Sequence, residues 1–135
     1  MTIVKSINTV CVVDDDEIYV YGIKKLITLK QLCPNLIEFR NGKDAIDFLT
    51  DPNNTDQLPD VIFLDISMPI MDGWDFMESY AKLKPHLSKK ITVYMVSSSI
   101  NDEDIMRAKA ITDISDYVVK PVTYDKLLEL FQLAA

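Results

Sequence analysis

Apolar residues fall into short runs that alternate with longer stretches of helical spacing. Thr9–Val13 (TVCVV) is a continuous, β-branched apolar run, as expected of a strand buried on both faces. Residues 17–32 follow with Ile18, Ile23, Leu26, Ile27 and Leu29 at helical spacing, slightly weakened by Gly22. Residues 36–39 predict a second, short strand. Asn41-Gly42 could signal a hairpin turn, but Ala45, Ile46 and Leu49 then share one helical face, so Asn41 starts a second helix. Residues 51–59 (DPNNTDQLP) read as loop, 60–64 as strand three, and 72–83 as a helix that must end near Pro85. Strand four covers 91–96. Asn101 is a good N-cap for a helix over 101–111, with two acids in its first turn. Tyr117–Val119 lies in strand five, and residues 123–133 form the last helix, capped by Thr123 and burying Leu127, Leu130 and Phe131.

These are five β-α units with apolar, mostly unalternating strands. They predict an α/β fold: a doubly wound, five-stranded parallel sheet with helices on both faces. Ligands of such sheets bind outside the carboxyl ends of the strands. Strand one ends in Asp14-Asp15-Asp16, strand three in Asp65, strand four in Ser97-Ser98-Ser99 and strand five in Lys120-Pro121. Acid, hydroxyl and ammonium therefore converge on one edge. Carboxylates from two strands would repel each other unless a cation sat among them. A hard divalent ion such as Mg²⁺ suits that place, because it takes one or two carboxylates and fills the rest with water and phosphate oxygens. Lys and Ser at the same edge suit the oxygens of a phosphoryl group. An Asp there can act as a nucleophile and form an aspartyl phosphate.

Composition narrows the classes. With 135 residues, 48% hydrophobic and 26% charged, the chain has the size and balance of one globular domain. The formal net charge of −7 and the absence of a Lys/Arg run argue against a nucleic-acid surface. No apolar run approaches the ~20 residues of a membrane span, and the N-terminus does not read as a secretory signal. Cys11 and Cys33 form neither a CxxC pair nor a metal pattern with the lone His86. They read as free thiols in a reducing cytosol, and the expected location is cytoplasmic.

Four segments, VVDDDE at 12–17, VIFLDISMPIMDG at 61–73, VYMVSSS at 93–99 and DYVVKPVT at 116–123, resemble the receiver domains of bacterial two-component response regulators. They occur in that family's order and cover nearly the whole chain. The resemblance implies strand order 2-1-3-4-5. It makes Asp65 the phosphoacceptor and sets Asp14 and Asp15 on the Mg²⁺-holding acidic pair, with the backbone carbonyl of Ser67 as a further ligand. Asp15 is the expected direct ligand, with Asp14 acting through water. It gives Ser97 and Lys120 to the phosphoryl group, and Ser97 and Tyr117 to the switch that relays phosphorylation to the face of helix four, strand five and helix five. It also implies a cis Lys120–Pro121 bond. The implied partner is a sensor histidine kinase or a histidine phosphotransfer protein. The chain then resembles a stand-alone receiver, like the single-domain chemotaxis response regulator, with a core over about 8–133 and no effector domain. Such a receiver is a signalling phosphoacceptor that assists its own phosphorylation and dephosphorylation, not an enzyme. It signals by binding an unknown downstream protein or by passing its phosphoryl group on.

Plainer readings compete at several positions. Asp16 and Glu17 are helix N-terminal acids stabilised by the dipole. Taken alone, Asp14 and Asp15 serve equally well as caps. Ser97–Ser99 suit a strand-to-helix turn, Tyr117 suits the core, and Trp74 has no role to assign. Two departures from the family pattern stand out. The segment AKAITDISDY at 108–117 lacks the usual Gly-Ala pair, and the 51–59 loop is long. A Mg²⁺-dependent phosphatase with an Asp nucleophile carries a second acid two residues on, where this chain has Ser67. With only Gly22, Gly42 and Gly73, the chain has no phosphate-cradling GxxxxGK[ST] loop. A degenerate module that had lost the chemistry would lack the acceptor, the acidic pair or the lysine, and all are present.

Overall fold

The computed structural model describes residues 7–134. Five strands, β1 (Thr9–Val13), β2 (Asn35–Phe39), β3 (Val61–Leu64), β4 (Thr92–Ser97) and β5 (Ile114–Val119), alternate with α1 (Glu17–Leu29), α2 (Gly42–Thr50), α3 (Gly73–Leu83), α4 (Asp102–Ala110) and α5 (Tyr124–Ala134). The strands form one parallel sheet in the order β2-β1-β3-β4-β5. This is the doubly wound fold that the sequence predicts.

Successive residues of the central strands feed two cores. Cys11, Val13, Ile62, Leu64, Val93 and Met95 pack with Ala45 and Leu49 of α2, Phe76 and Tyr80 of α3 and Ala108 of α4. Val10, Val12, Phe63, Tyr94 and Val96 pack with Ile23 and Ile27 of α1 and with Leu127, Leu130 and Phe131 of α5. Fully burying one such side chain contributes about 1.5–3 kcal/mol, so both faces are held firmly under the edge that carries the polar residues.

Side chains start the helices, with Asn41, Asn101 and Thr123 doing so where the pattern predicts and Asp16 and Asp72 adding caps it does not. Asp16 caps α1 by accepting from the Ile18 and Tyr19 amides, Asn41 caps α2, Asp72 caps α3 and Asn101 caps α4. Thr123 Oγ1 accepts from Lys126 N at the start of α5. Because Asp16 fills the cap of α1, Asp14 and Asp15 are released from that role.

Four boundaries differ from the sequence reading. α1 stops at Leu29, short of residue 32, because Gln31 adopts φ 53°. The Leu32 amide then donates to Ile27 O and the Gln31 amide to Thr28 O, a left-handed stop that satisfies the last carbonyls. Leu32 still packs on the α1/α5 core, which is why it fits the helical spacing. The stretch read as loop at 51–59 contains a 3₁₀ helix, Pro52–Gln57, capped by Asp51. Strand β5 begins at Ile114 and carries a register shift, with Val93 opposite Ile114 but Tyr94 opposite Asp116, so Ser115 is the extra residue. α4 ends one residue earlier than expected, with Ile111 extended. A tight turn at Thr112 and Asp113, closed by Ile114 N donating to Ile111 O at 3.1 Å, then leads into β5 in place of the Gly-Ala pair.

Gly73 opens α3 hard against the edge. A Cβ at this position would lie 2.3 Å from Asp65 O and 3.0 Å from Ile66 Cα, both backbone atoms that cannot step aside. The Gly73 amide also donates to Ile66 O at 2.7 Å. Gly73→Ala should therefore displace the start of α3 and the Asp65 backbone together, lowering stability by about 2–3 kcal/mol by urea unfolding. A variant as stable as the parent would mean that the helix slides away freely.

Candidate phosphoacceptor site

The site is built by extending the parallel ladder past the strand ends. Asp14 N donates to Phe39 O and Asp65 N to Val13 O, both at 2.9 Å, so Asp14 and Asp65 leave adjacent strands side by side. Asp14 is 3% and Asp65 7% exposed, whereas Asp15 faces solvent. One carboxylate oxygen from each of Asp14, Asp15 and Asp65 lies within 4.8 Å of the others. The ladder reaches β5 as well: Lys120 N donates to Ser97 O at 2.9 Å. Its Nζ then lies 2.9 Å from Asp14 Oδ2, 3.7 Å from Asp65 Oδ2 and 3.8 Å from Asp16 Oδ2. The Lys120–Pro121 peptide is cis.

Each buried oxygen has a definite environment. Asp14 Oδ1 accepts from Asp16 N, and Asp65 Oδ1 from Ile66 N. Asp14 Oδ2 is near Lys120 by distance but receives no hydrogen bond of acceptable geometry. We therefore read that contact as an ion pair without a shared hydrogen. Burial, then the Asp14 charge beside it, push the Asp65 carboxyl up from 3.8 to about 7, while Lys120 and the Ile66 amide pull it down. The arrangement holds more negative charge than one lysine neutralises. Its donors are carboxylate oxygens, and one buried oxygen, Asp14 Oδ2, accepts no hydrogen bond, so the site suits a hard divalent cation.

Ser97, 5% exposed, ends β4 next to β3, and its Oγ accepts from Ser99 N at 3.2 Å. Ser67 lies two residues past Asp65 in an exposed loop. Tyr117 is half-buried in β5, and its hydroxyl donates to Ser99 O at 2.8 Å, joining strand five to the loop before α4. Ser99 Oγ in turn donates to Asp104 Oδ2 in α4. A cleft of about 150 Å³ lined by Asp14, Asp15, Glu17 and Arg40 opens beside the acids. It admits an ion and a small group, but is well under the roughly 300–1,000 Å³ typical of organic ligand sites.

Two residues near the edge escaped the sequence reading. Tyr19, which periodicity assigns only to a helix, lies over the Lys120 ammonium. Trp74, left without a role, carries the Arg107 guanidinium 4.4 Å from its ring centroid, linking α3 to α4. An aromatic three residues past the acidic triplet is the only available signal for Tyr19.

An open, doubly wound sheet with a carboxylate cluster and a lysine at its carboxyl edge belongs to the class of phosphoryl-handling α/β proteins. Within that class, the family model described as the response regulator receiver domain matches residues 10–132, and the chain belongs to that family. It is 32% identical over 99 residues to a sensor histidine kinase, CheAY, of Helicobacter pylori, covering 73% of this chain and 12% of that protein. It is 30% identical over 128 residues to the nitrate/nitrite response regulator NarL of Escherichia coli K12, covering 94% of this chain and 54% of NarL. Among solved structures, a two-component response regulator from Cytophaga hutchinsonii superposes with a TM-score of 0.85 at 26% identity, covering 96% of this chain and 98% of that one. A response regulator receiver protein from Dyadobacter fermentans gives a TM-score of 0.78 at 28% identity, covering 93% and 96%.

The chain spans 12%, 49% and 54% of the first three curated relatives. One of them is a transcriptional regulatory protein of Brevibacillus brevis, so the relatives lend no support to the charge-based exclusion of nucleic acid. The chain is thus a receiver domain of the two-component type, a family of signalling phosphoacceptor domains that accept phosphoryl groups from histidine kinases. Receiver domains generally bind Mg²⁺ at an acidic pocket, and the Asp14/Asp15/Asp65 cluster is an acidic pocket of that kind. Among the described residues, no helix is long and apolar enough to cross a membrane.

Proposed function

We propose that Asp65 is the phosphoacceptor of this receiver, and that Asp14, Asp15 and the Ser67 carbonyl hold Mg²⁺ with it. The observation that carries this reading is the Asp14/Asp15/Asp65 cluster with the Lys120 ammonium set against it. When bound, the ion would neutralise phosphoryl oxygens and the carboxylates around them. One Asp65 oxygen attacks phosphorus while the bond to the donor's nitrogen or oxygen breaks and its electron pair leaves with the donor. Ile66 N fixes the other oxygen, Oδ1, so the attacking oxygen is Oδ2, the one 3.7 Å from Lys120. Lys120 meets the growing charge on the phosphoryl oxygens, and Ser97 donates its hydroxyl to one of them.

The phosphoryl group adds about −1.5 to −2 charge and three acceptor oxygens. Ser97 turning toward them would release the Ser99 amide it now accepts from, loosening the loop that Tyr117 holds through Ser99 O. The state would thus reach the α4–β5–α5 face by a shift in population. The donor is a histidine kinase or a histidine phosphotransfer protein, in the cytoplasm, acting on a single receiver unit over about 8–133.

Acetyl phosphate with Mg²⁺ should add one acid-stable, hydroxylamine-labile phosphoryl group, read as a single mass increment. Asp65→Asn should remove it, and chelating Mg²⁺ should prevent it. In the same sample, the Tyr117 ring resonances should move. Labelling that survives Asp65→Asn would shift the acceptor to another acid, with Asp14 the first to test.

A further inference from the structure

Lys120 has a neighbour that the acceptor reading does not use. In the first turn of α1, the Tyr19 ring faces the ammonium, with Nζ 4.3 Å from the ring centroid. The other groups around Nζ are Asp14, Asp65 and Asp16, and the lysine side chain is only 11% exposed. The ring and the acids together form a cage. The Tyr19 hydroxyl is completely buried and has no hydrogen-bond partner. A buried hydroxyl without a partner is destabilising, so the contribution of this side chain must lie in its ring.

The surroundings show what the ring prevents. An apolar groove of about 540 Å³, lined by Ile18, Tyr19, Leu26, Pro121 and Val122 and reaching Asp16, runs alongside Lys120. Asp16 is half-exposed and 3.8 Å from Nζ, a competing acid on the solvent side. A lysine not covered by the ring could swing toward Asp16 and water, away from Asp65. An aromatic face attracts an ammonium most strongly where water is excluded, as it is here.

We propose that Tyr19 is a positioning residue for phosphoryl transfer, its ring closing the solvent side of Lys120 and holding the ammonium on Asp65. This inference rests on the reading of Asp65 as acceptor. It names a requirement of that site which lies outside the acidic pair, the acceptor and the lysine.

The test uses the full chain, acetyl phosphate with Mg²⁺, and variants at Tyr19 in two backgrounds. Tyr19→Leu should slow labelling of Asp65 about tenfold, and Tyr19→Phe should stay within about twofold, since the ring remains. In a Lys120→Met background, Tyr19→Leu should slow the residual labelling no further. Equal slowing in both backgrounds would mean that Tyr19 only supports the fold, and the inference would fall. It would also fall if Tyr19→Leu labelled at the parental rate.

A second reading needs no phosphorylation. The Lys120 ε-methylene resonance should be shifted by the ring in the parent and in Tyr19→Phe, and move toward its ordinary value in Tyr19→Leu. An ordinary shift in the parent would remove the stack itself and overturn the inference. A parent that shows the shift yet takes no phosphoryl group would overturn the acceptor reading instead.

Discussion

Lys120→Met should slow phosphorylation of Asp65 by acetyl phosphate about 10²- to 10³-fold, the loss typical when a preorganised group that meets transition-state charge is removed. The ammonium sits 3.7 Å from Asp65 Oδ2 and is 11% exposed, so its charge acts in a poorly hydrated place. It is also the only cation within 4 Å of either buried acid among the described residues. The same change should strengthen Mg²⁺ binding several-fold, because it removes a positive charge from the edge where the ion would sit. The opposite signs matter. A variant damaged in its fold would lose both properties, whereas loss of a charge that serves only the phosphoryl group lowers the rate and raises the affinity. Rates come from labelling time courses and affinities from Mg²⁺ titration followed by NMR. A variant that loses Mg²⁺ affinity in step with its rate would place Lys120 in a structural role.

Much of this edge is legible in sequence because parallel strands end where apolar runs meet polar residues. TVCVV stops at Asp14 and VIFL at Asp65, so the ladder alone brings the two acids together, and the Lys120 amide continues the same ladder from β4. The doubly wound fold follows from five such units, whereas the strand order is implied by the resemblance to receiver domains. What sequence conceals is contact between elements distant in the chain. Tyr19 has the periodicity of an ordinary helical residue, and only the approach of β5 to α1 shows it covering Lys120. Gly73 reads as one more helix-start residue until the Asp65 carbonyl appears 2.3 Å from where its Cβ would be. The end of α1 is hidden in the sequence for another reason. The left-handed position that stops it is held by Gln31, where Gly or Asn would have announced it. Ser115, the extra residue in β5, leaves no mark because a bulge depends on the partner strand.

The buried acids should also make the metal-free protein less stable than its disarmed variant. Asp65 titrates near 3.8 when unfolded and about 7 in the fold, raised by burial and then by Asp14. The folded state therefore binds the proton more tightly than the unfolded state does. That contribution favours folding at low pH and is lost as pH rises from about 4 through about 7. Above that range the ionised Asp65 faces Asp14 with one lysine between them. Asp65→Asn removes the charge but keeps the shape. With a chelator at pH 8 it should be more stable than the parent by about 1–3 kcal/mol in urea unfolding. The advantage should shrink steadily toward pH 5, where the parent carries its proton. Adding Mg²⁺ at ten times its dissociation constant should return about 1.4 kcal/mol to the parent, and less to the variant, which lacks one of the three carboxylates. Equal stabilities with chelator across the whole range would mean that Asp65 is solvated and unstrained, and that the cluster needs no cation to relieve it.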